Sequence, residues 1–316
     1  LNTKSIYIKD IRPGERVSES FLVTEKNLAV SQKGNPYLSL RLRDKTGDVD
    51  GRVWDNVDEM NRTFQKGDVI YIHSRAISFR NVIQLSISEI QTLEETEIDP
   101  ADYSPASKLD TAKMYDALIG FTETVGNPYL KSLLNLIFSD EKTAEAFRTA
   151  PAAKGFHHSY IGGLLEHTLS VTHLIDHVAV HYGNVDRDLL ITGGILHDIG
   201  KIEEFSYRTM IDYTDEGRLI GHIVMGLEMV DKKIDEIEGF PQDLALELRH
   251  ILLSHHGVLE YGSPKRPKTV EAVIVNYMDD LDAKINAFRE YIADSDEDSN
   301  WTPFHRLLER FIYKGR

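Results

Sequence analysis

A histidine and an aspartate close an apolar run in Gly193–Lys201, GGILHDIGK, and the pair is costly there. His197 and Asp198 directly follow Ile195 and Leu196, so both are expected to be at least half-buried. A buried charge needs a counter-charge or a metal ion beside it. The chain holds 13 histidines, of which only His73 lies in the first 95 residues. In LLEHTLSVTHLIDHVAVHYG, helical phase places His167 on one stripe with Val171, Leu174 and Val178, pointing inward. His173, His177 and His181 fall off that stripe and suit an exposed face. His222 opens the apolar GHIVMG segment, and His255 and His256 end LRHILLSHHG ahead of a capping Gly257. In VNYMDDLDAK, Asp279 aligns with the apolar Ala272, Val275 and Ala283, whereas Asp280 and Asp282 lie further off that face and suit surface charge. Taken singly, each residue has a plain structural role: a satisfied core histidine, or a cation at a helix C-terminus.

Taken together, several separate apolar helices each offer an imidazole or a carboxylate inward. Left unpaired, such groups cost on the order of several kcal/mol each. One or two divalent cations would compensate them all. The chain has no cysteine, so a metal must be held by histidine and carboxylate, a donor set that suits Mn, Fe, Co, Zn or Mg. A carboxylate shared by two cations about 3.5–4 Å apart is a common clamp for phosphoester hydrolysis.

The elements that must position these groups divide the chain. At 316 residues and 41% hydrophobic content, about two domains are expected. Residues 17–95 carry five short, alternating, β-branched stretches: SESFLVTEKNLAVS, PYLSLRLRDKTG, DVDGRVWD, DVIYIHSRAISFR and VIQLSISEIQTL. Lys33-Gly34-Asn35-Pro36, Lys45-Thr46-Gly47-Asp48 and Lys66-Gly67-Asp68 are turn signals between them. Five strands in so short a span, with a small helix at 57–64, suit a closed barrel of the OB-fold type. Residues 96–110, acidic and interrupted by proline, read as a linker. From residue 111 to 316 the period becomes helical, with helices expected near 161–182, 187–198, 222–238, 242–256, 269–291 and 303–313. The architecture expected is therefore multidomain β + α: an N-terminal OB-fold β-barrel over 1–95, then an all-α domain.

Residues 1–95 hold 14 basic and 14 acidic side chains, so the whole net charge of −15 lies after residue 95. That balance suits a cation-binding helical body and disfavours strong, charge-driven adhesion to nucleic acid. No stretch of 18 or more apolar residues is present, so no membrane span is expected. The N-terminus has no apolar core of a signal peptide, and the lack of cysteine fits a reducing, cytoplasmic setting.

The order His167, His197-Asp198, His222, His255-His256, Asp279 resembles the HD-domain metal-dependent phosphohydrolase superfamily, whose signature is H…HD…D. The IGK after His197-Asp198 and the DDLDA context of Asp279 sharpen the match. HHSYIGGLLEHTLSV, HDIGKIEEF, YTDEGRLIGHIVMG and SHHGVLEYGSPKRP look like the YhaM-type 3′→5′ exoribonucleases, which join an OB-fold to an HD domain. The resemblance implies a cytoplasmic, manganese-favouring exonuclease on single-stranded RNA, with DNA as a second substrate. It implies one cation on His167, His197, Asp198 and Asp279, and another on Asp198, His222 and one or both of His255 and His256. Cyclic-dinucleotide phosphodiesterases of the HD-GYP type also carry extra histidines, but their HHE and GYP elements are missing, with Gly257 where the glutamate would stand.

Around that centre, Asp198 and Lys201 are the expected catalytic pair, Lys201 reaching a phosphate oxygen. His157, His158 and the basic loop residues Lys265, Arg266 and Lys268 are expected to touch substrate. In the barrel, Arg41, Arg43, Arg52 and Trp54, with Tyr37, Phe79 and Arg80 nearby, are expected to form a groove for a single strand by charge and stacking. The apolar FHRLLERFIY segment, read as a C-terminal helix, offers a face for a homo-oligomer. Two other readings stay open: a nucleotide or cyclic-dinucleotide phosphohydrolase, which would not need the barrel, and a non-catalytic nucleic-acid-binding module with a merely structural centre.

Overall fold

In a computed structural model of the protein, the alternation of Leu38, Leu40 and Leu42 with Tyr37, Ser39 and Arg41 becomes a strand with every second side chain buried. The structure describes residues 4–31, 33–79, 82–104, 106–154, 158–207, 211–293, 295 and 299–315. They form two units, 1–106 with 206–212, and 107–205 with 213–316.

The first unit is a five-stranded OB-fold barrel. Strands β1 (Arg16–Val30), β2 (Pro36–Asp44), β3 (Gly47–Val53), β4 (Val69–Phe79) and β5 (Val82–Thr92) close in the order β1-β2-β3-β5-β4. Helix α1 (Val57–Thr63) joins β3 to β4. The long β1 pairs with β4 through its first half and β2 through its second, with an irregularity between Val23 and Glu25 that turns it from one neighbour to the other. The parallel β3–β5 pairing, Asp50 opposite Gln84 through Val53 opposite Ile87, closes the cylinder. Phe21, Leu40, Leu42, Ile70, Ile72 and Leu85 fill it.

The segment read as a linker is in part docked on this barrel. Ile98 and Tyr103 are buried against Leu22 and Val69. Asp102 accepts hydrogen bonds from Tyr7 Oη (2.7 Å) and Lys45 Nζ (2.8 Å). Two apolar anchors among acidic residues suffice to tie such a stretch down.

Lys4 is buried beside this cluster, its ammonium 3.8 Å from Asp44 and 3.8 Å from the Phe21 ring centre. Burial pushes its pKa down from 10.5 to about 8, against the pull of Glu19 and Asp44. Between pH 8 and 10.5 the unfolded chain therefore binds the proton more readily than the folded one. The cost of the buried charge is full below that window and disappears above it. Lys4→Met removes that titration, so wild type should gain about 1–3 kcal/mol relative to the variant as pH rises from 8 to 10.5. Urea titrations followed by the barrel's signal should show it; a pH-independent difference between the two proteins would contradict it.

The second unit is helical: α2 (Thr111–Thr124), α3 (Pro128–Phe138), α4 (Glu141–Thr149), α5 (Gly163–Tyr182), α6 (Arg187–Leu196), α7 (Lys201–Glu204), α8 (Asp215–Leu219), α9 (His222–Asp235), α10 (Gln242–Ser254) and α11 (Val270–Ala293). α6 is the centre, packed by α5, α10 and α11 and buried from Leu189 to Leu196 without a break, which is why its sequence is apolar all round. A side chain at Gly194 would put its first carbon 2.6 Å from Ile175, so the glycine lets α5 approach. The expected helix over 303–313 does not form. Thr302–Ile312 contacts and bridges between Trp301 and Tyr313 and between His305 and Arg310 make a turn-back, with Glu309 at φ 51°. Leu308 and Ile312 pack on Ala287 instead of lying along a helix face.

Candidate metal centre

Three helix ends, the second turn of a fourth helix and the face of a fifth meet at Asp198. His197 is the C-cap of α6 and Asp198 follows it; His255 is the C-cap of α10; His222 begins α9. His167 comes from the second turn of α5 and Asp279 from the inner face of α11. Gly200 makes the approach of α9 feasible, since a Cβ there would lie 2.1 Å from the His222 carbonyl oxygen.

The two carboxylate oxygens of Asp198 face two histidine sets. Oδ2 lies 3.3 Å from His197 Nε2 and 3.6 Å from His167 Nε2. Oδ1 lies 3.4 Å from His222 Nε2 and 3.6 Å from His255 Nε2. Asp279 Oδ1 completes the first set at 3.2 Å from His167 Nε2. His256 joins the second, so that Asp198, His222, His255 and His256 present ligand atoms all within 4.8 Å of one another, as do His167, His197 and Asp279.

Each imidazole is oriented from behind by an oxygen at Nδ1. His167 Nδ1 is 2.8 Å from Asp282, His197 Nδ1 2.8 Å from the Gly194 carbonyl, and His222 Nδ1 3.0 Å from Glu204. His255 Nδ1 is 2.8 Å from the Leu252 carbonyl and His256 Nδ1 2.8 Å from that of Tyr261. An oxygen acceptor places the proton on Nδ1 and leaves Nε2 as a lone pair. With the rings neutral, five lone pairs point at one small volume, and His167 Nε2 and His197 Nε2 stand 3.3 Å apart. Among the described residues, Asp198 Oδ1, His222 Nε2 and His255 Nε2 are buried with no hydrogen-bond partner. Converging buried lone pairs and carboxylates are stable with a cation among them and repulsive without one. The residues therefore fit divalent metal.

The electrostatics agree. Burial lowers His255, and it lowers His256 to about 3 with help from His255 and His222, keeping both in the neutral, ligating form. Burial would also lower His167, but Asp279 and Asp282 on either side hold it up at about 9, so positive charge is favoured at the position where a metal would sit. Asp279 and Asp198 are held below the usual carboxylate range, against burial, by His167 and His197 for the first and by Lys201 and His197 for the second.

Several supporting residues escaped the sequence reading. Asp282 is buried, not on the surface: it takes His167 Nδ1, Ser170 Oγ and, at 3.3 Å, His158 Nε2. It stands three residues after Asp279, only about 60° round the helix, so the inner face is broad enough for both. Glu204 behind His222, and Asn276 donating to the His255 carbonyl, were also missed. For Glu204 the signal was its place in HDIGKIEEF, six residues after Asp198 and at the end of the short α7.

Lys201, expected to reach a phosphate, gives its buried ammonium to Asp198 Oδ2 at 2.6 Å, although it still lines the cleft. His158, expected at the substrate, is 1% exposed and hydrogen-bonded to Tyr160 and Asp282, behind His167. His157 and Arg80 lie outside the described residues. Lys265, Arg266 and Lys268 are exposed, and Arg266 borders the cleft.

In the barrel the expected basic groove is largely neutralised. Arg43 holds Asp48 through two bonds (2.7 and 3.0 Å), Arg41 pairs with Asp50 at 3.1 Å, and Arg52 lies 3.8 Å from Asp50. Register explains it, because Arg43 faces Asp48 and Arg41 faces Asp50 across β2 and β3. What remains is aromatic: Trp54, 47% exposed, stacks on Tyr37 with ring centres 4.6 Å apart.

Comparison with known proteins places these features in a family. Residues 164–284 match the model described as HD domain, and residues 22–93 that described as OB-fold nucleic acid binding domain. The 3′-5′ exoribonuclease YhaM of Bacillus subtilis (strain 168) is 32% identical over 284 residues, 90% of this chain and 89% of its own. The protein of the same name from Bacillus pumilus (strain SAFR-032) is 33% identical over the same shares.

Proposed function

The chain belongs to the family of the 3′-5′ exoribonuclease YhaM, and from that premise we propose that it degrades single-stranded RNA from the 3′ end, and single-stranded DNA less readily, with two divalent cations, manganese favoured. The observation that carries the reading is the pair of histidine sets on opposite oxygens of Asp198, with His222 Nε2, His255 Nε2 and Asp198 Oδ1 buried and without a hydrogen-bond partner among the described residues. His167, His197, Asp198 and Asp279 would hold one cation; Asp198, His222, His255 and His256 the other. When bound, such cations supply an acidified water and neutralise charge on the phosphate oxygens.

The chain's own residues do the positioning. Asp282 and Glu204 fix the tautomers of His167 and His222, so that each offers Nε2 to the centre. Lys201 stays charged, since Asp198 raises its pKa against burial, and it holds the shared carboxylate in one orientation. The barrel retains the strand chiefly by stacking on Trp54 and Tyr37, with its arginines engaged by Asp48 and Asp50. Binding through this unit should accordingly depend weakly on salt. Among the described residues no helix is long and apolar enough to cross a membrane. We place the enzyme in the cytoplasm on its lack of cysteine. Self-association would cover the exposed Phe304, Leu307 and Phe311.

The test is digestion of single-stranded RNA and DNA labelled at either end, with Mn²⁺, Mg²⁺ or EDTA. The expected result is mononucleotide release from the 3′ end, fastest on RNA with Mn²⁺, and none in EDTA. Early loss of a 5′ label, or undiminished digestion in EDTA, would contradict the reading.

A further inference from the structure

The cavity beside the metal centre is larger than a phosphate requires. It measures about 810 Å³, and it runs from Lys201, His255 and Asp279 outward to Tyr261, Arg266 and Tyr277. A volume of that order holds a drug-sized ligand, and one nucleotide is of that class. Its outer lining is unusual for an acidic unit. Tyr261 is 68% exposed and Tyr277 63% exposed, two large rings that folding leaves in water. Arg266 makes no hydrogen bond or ion pair among the described residues, whereas Asp280 on the same lining is neutralised by Lys284 at 2.6 Å.

Both rings are tied to the centre through its own residues. The Tyr261 carbonyl accepts the Nδ1 hydrogen of His256, so the turn bearing that ring is anchored to a residue of the second histidine set. Tyr277 stands two residues before Asp279 on the rigid α11. Ring position and cation position are thus linked by short, stiff connections. An aromatic face accepts any base, because every base has a π-face. A free guanidinium beside it is suited to a phosphate oxygen.

Resting on the nuclease reading above, we propose that Tyr261 and Tyr277 form a stacking site for the base of the 3′-terminal nucleotide, with Arg266 on a flanking phosphate, and that this site sets the scissile bond over the centre. The enzyme would then recognise a terminal base without regard to its identity. An RNA whose last nucleotide lacks its base would be a poor substrate.

The experiment compares wild type, Tyr277→Ala, Tyr261→Ala and the two Phe variants. Each is given a single-stranded RNA and the same RNA with an abasic 3′-terminal nucleotide. Release of the first product is followed with Mn²⁺, and equilibrium binding in EDTA. Wild type should lose about 10- to 100-fold in kcat/KM on the abasic RNA, mostly through KM. Tyr277→Ala should lose a similar factor on normal RNA yet show little further abasic penalty. The Phe variants should keep near wild-type behaviour, since the ring and not the hydroxyl is used. Equal losses on both RNAs in the Ala variants, or no abasic penalty in wild type, would overturn the proposal. A wild type that hydrolyses neither RNA would overturn the nuclease reading alone, because binding in EDTA still reports the abasic penalty.

Discussion

Asp198→Asn is expected to lower kcat/KM by about 10³-fold or more, on the scale of losing a principal group that stabilises charge in the transition state. Asparagine keeps the shape and removes the charge. The consequence is double, because Asp198 is shared. On one side its Oδ2 serves His197 and His167; on the other its Oδ1 serves His222 and His255. A neutral amide cannot bind two cations at once, and its NH₂ would point hydrogens at either Lys201 or an imidazole. Lys201 would also lose the carboxylate 2.6 Å away while remaining buried. Stripping one partner from a buried ion pair costs about 3 kcal/mol or more, so the metal-free variant should melt lower than metal-free wild type. Metal content by mass spectrometry should fall for both cations, and added Mn²⁺ should not restore activity. Wild-type turnover with a full metal complement would show that the shared carboxylate is not the centre of the site.

Asp282→Asn should behave differently, although its effect is also large. Asp282 touches no cation in the proposed scheme; it stands behind His167 and fixes that ring's tautomer. The amide oxygen can still accept the Nδ1 hydrogen, but the negative charge that makes His167 a stronger donor at Nε2 is lost. Removing such a supporting carboxylate typically costs about 10- to 100-fold in metal affinity or activity. The loss should appear as a shifted Mn²⁺ requirement, with kcat near wild type once the metal is saturating. Ser170 and His158 also converge on Asp282, so part of the change will be a looser α5–α11 contact. A loss that saturating metal fails to reverse would assign Asp282 a direct role instead.

The contrast between these neighbours shows where sequence reading reaches its end. The alternation Leu38, Leu40, Leu42 and the stripe His167, Val171 can be read directly, because strand and helix periods are local properties of a chain. The converging imidazoles and carboxylates of the candidate centre were legible for the same reason: each is a polar residue on an apolar stripe, or at the end of an apolar run. Asp282 was not, since its phase alone puts it about 60° from Asp279, and only the arrival of His167 and His158 from other segments makes that position an interior one. The arginines of β2 failed in the opposite sense. Their side chains looked available until β3 brought Asp48 and Asp50 opposite them, a pairing that counting back from the tight turn at 44–47 would have found. The segment 303–313 had helical spacing, yet it folds back through Trp301 and Tyr313 and buries only Leu308 and Ile312.

By itself, then, the sequence determined that a small barrel precedes a helical unit, and that His167, His197, Asp198 and Asp279 would be drawn inward. Burial follows from hydrophobic pattern, and pattern is written along the chain. Only the tertiary structure decided that the imidazoles turn Nε2 to a common point, and that Asp198 faces two sets of them. Those are angles and separations between groups up to 115 residues apart, His167 and Asp282 among them, and no local period carries that information.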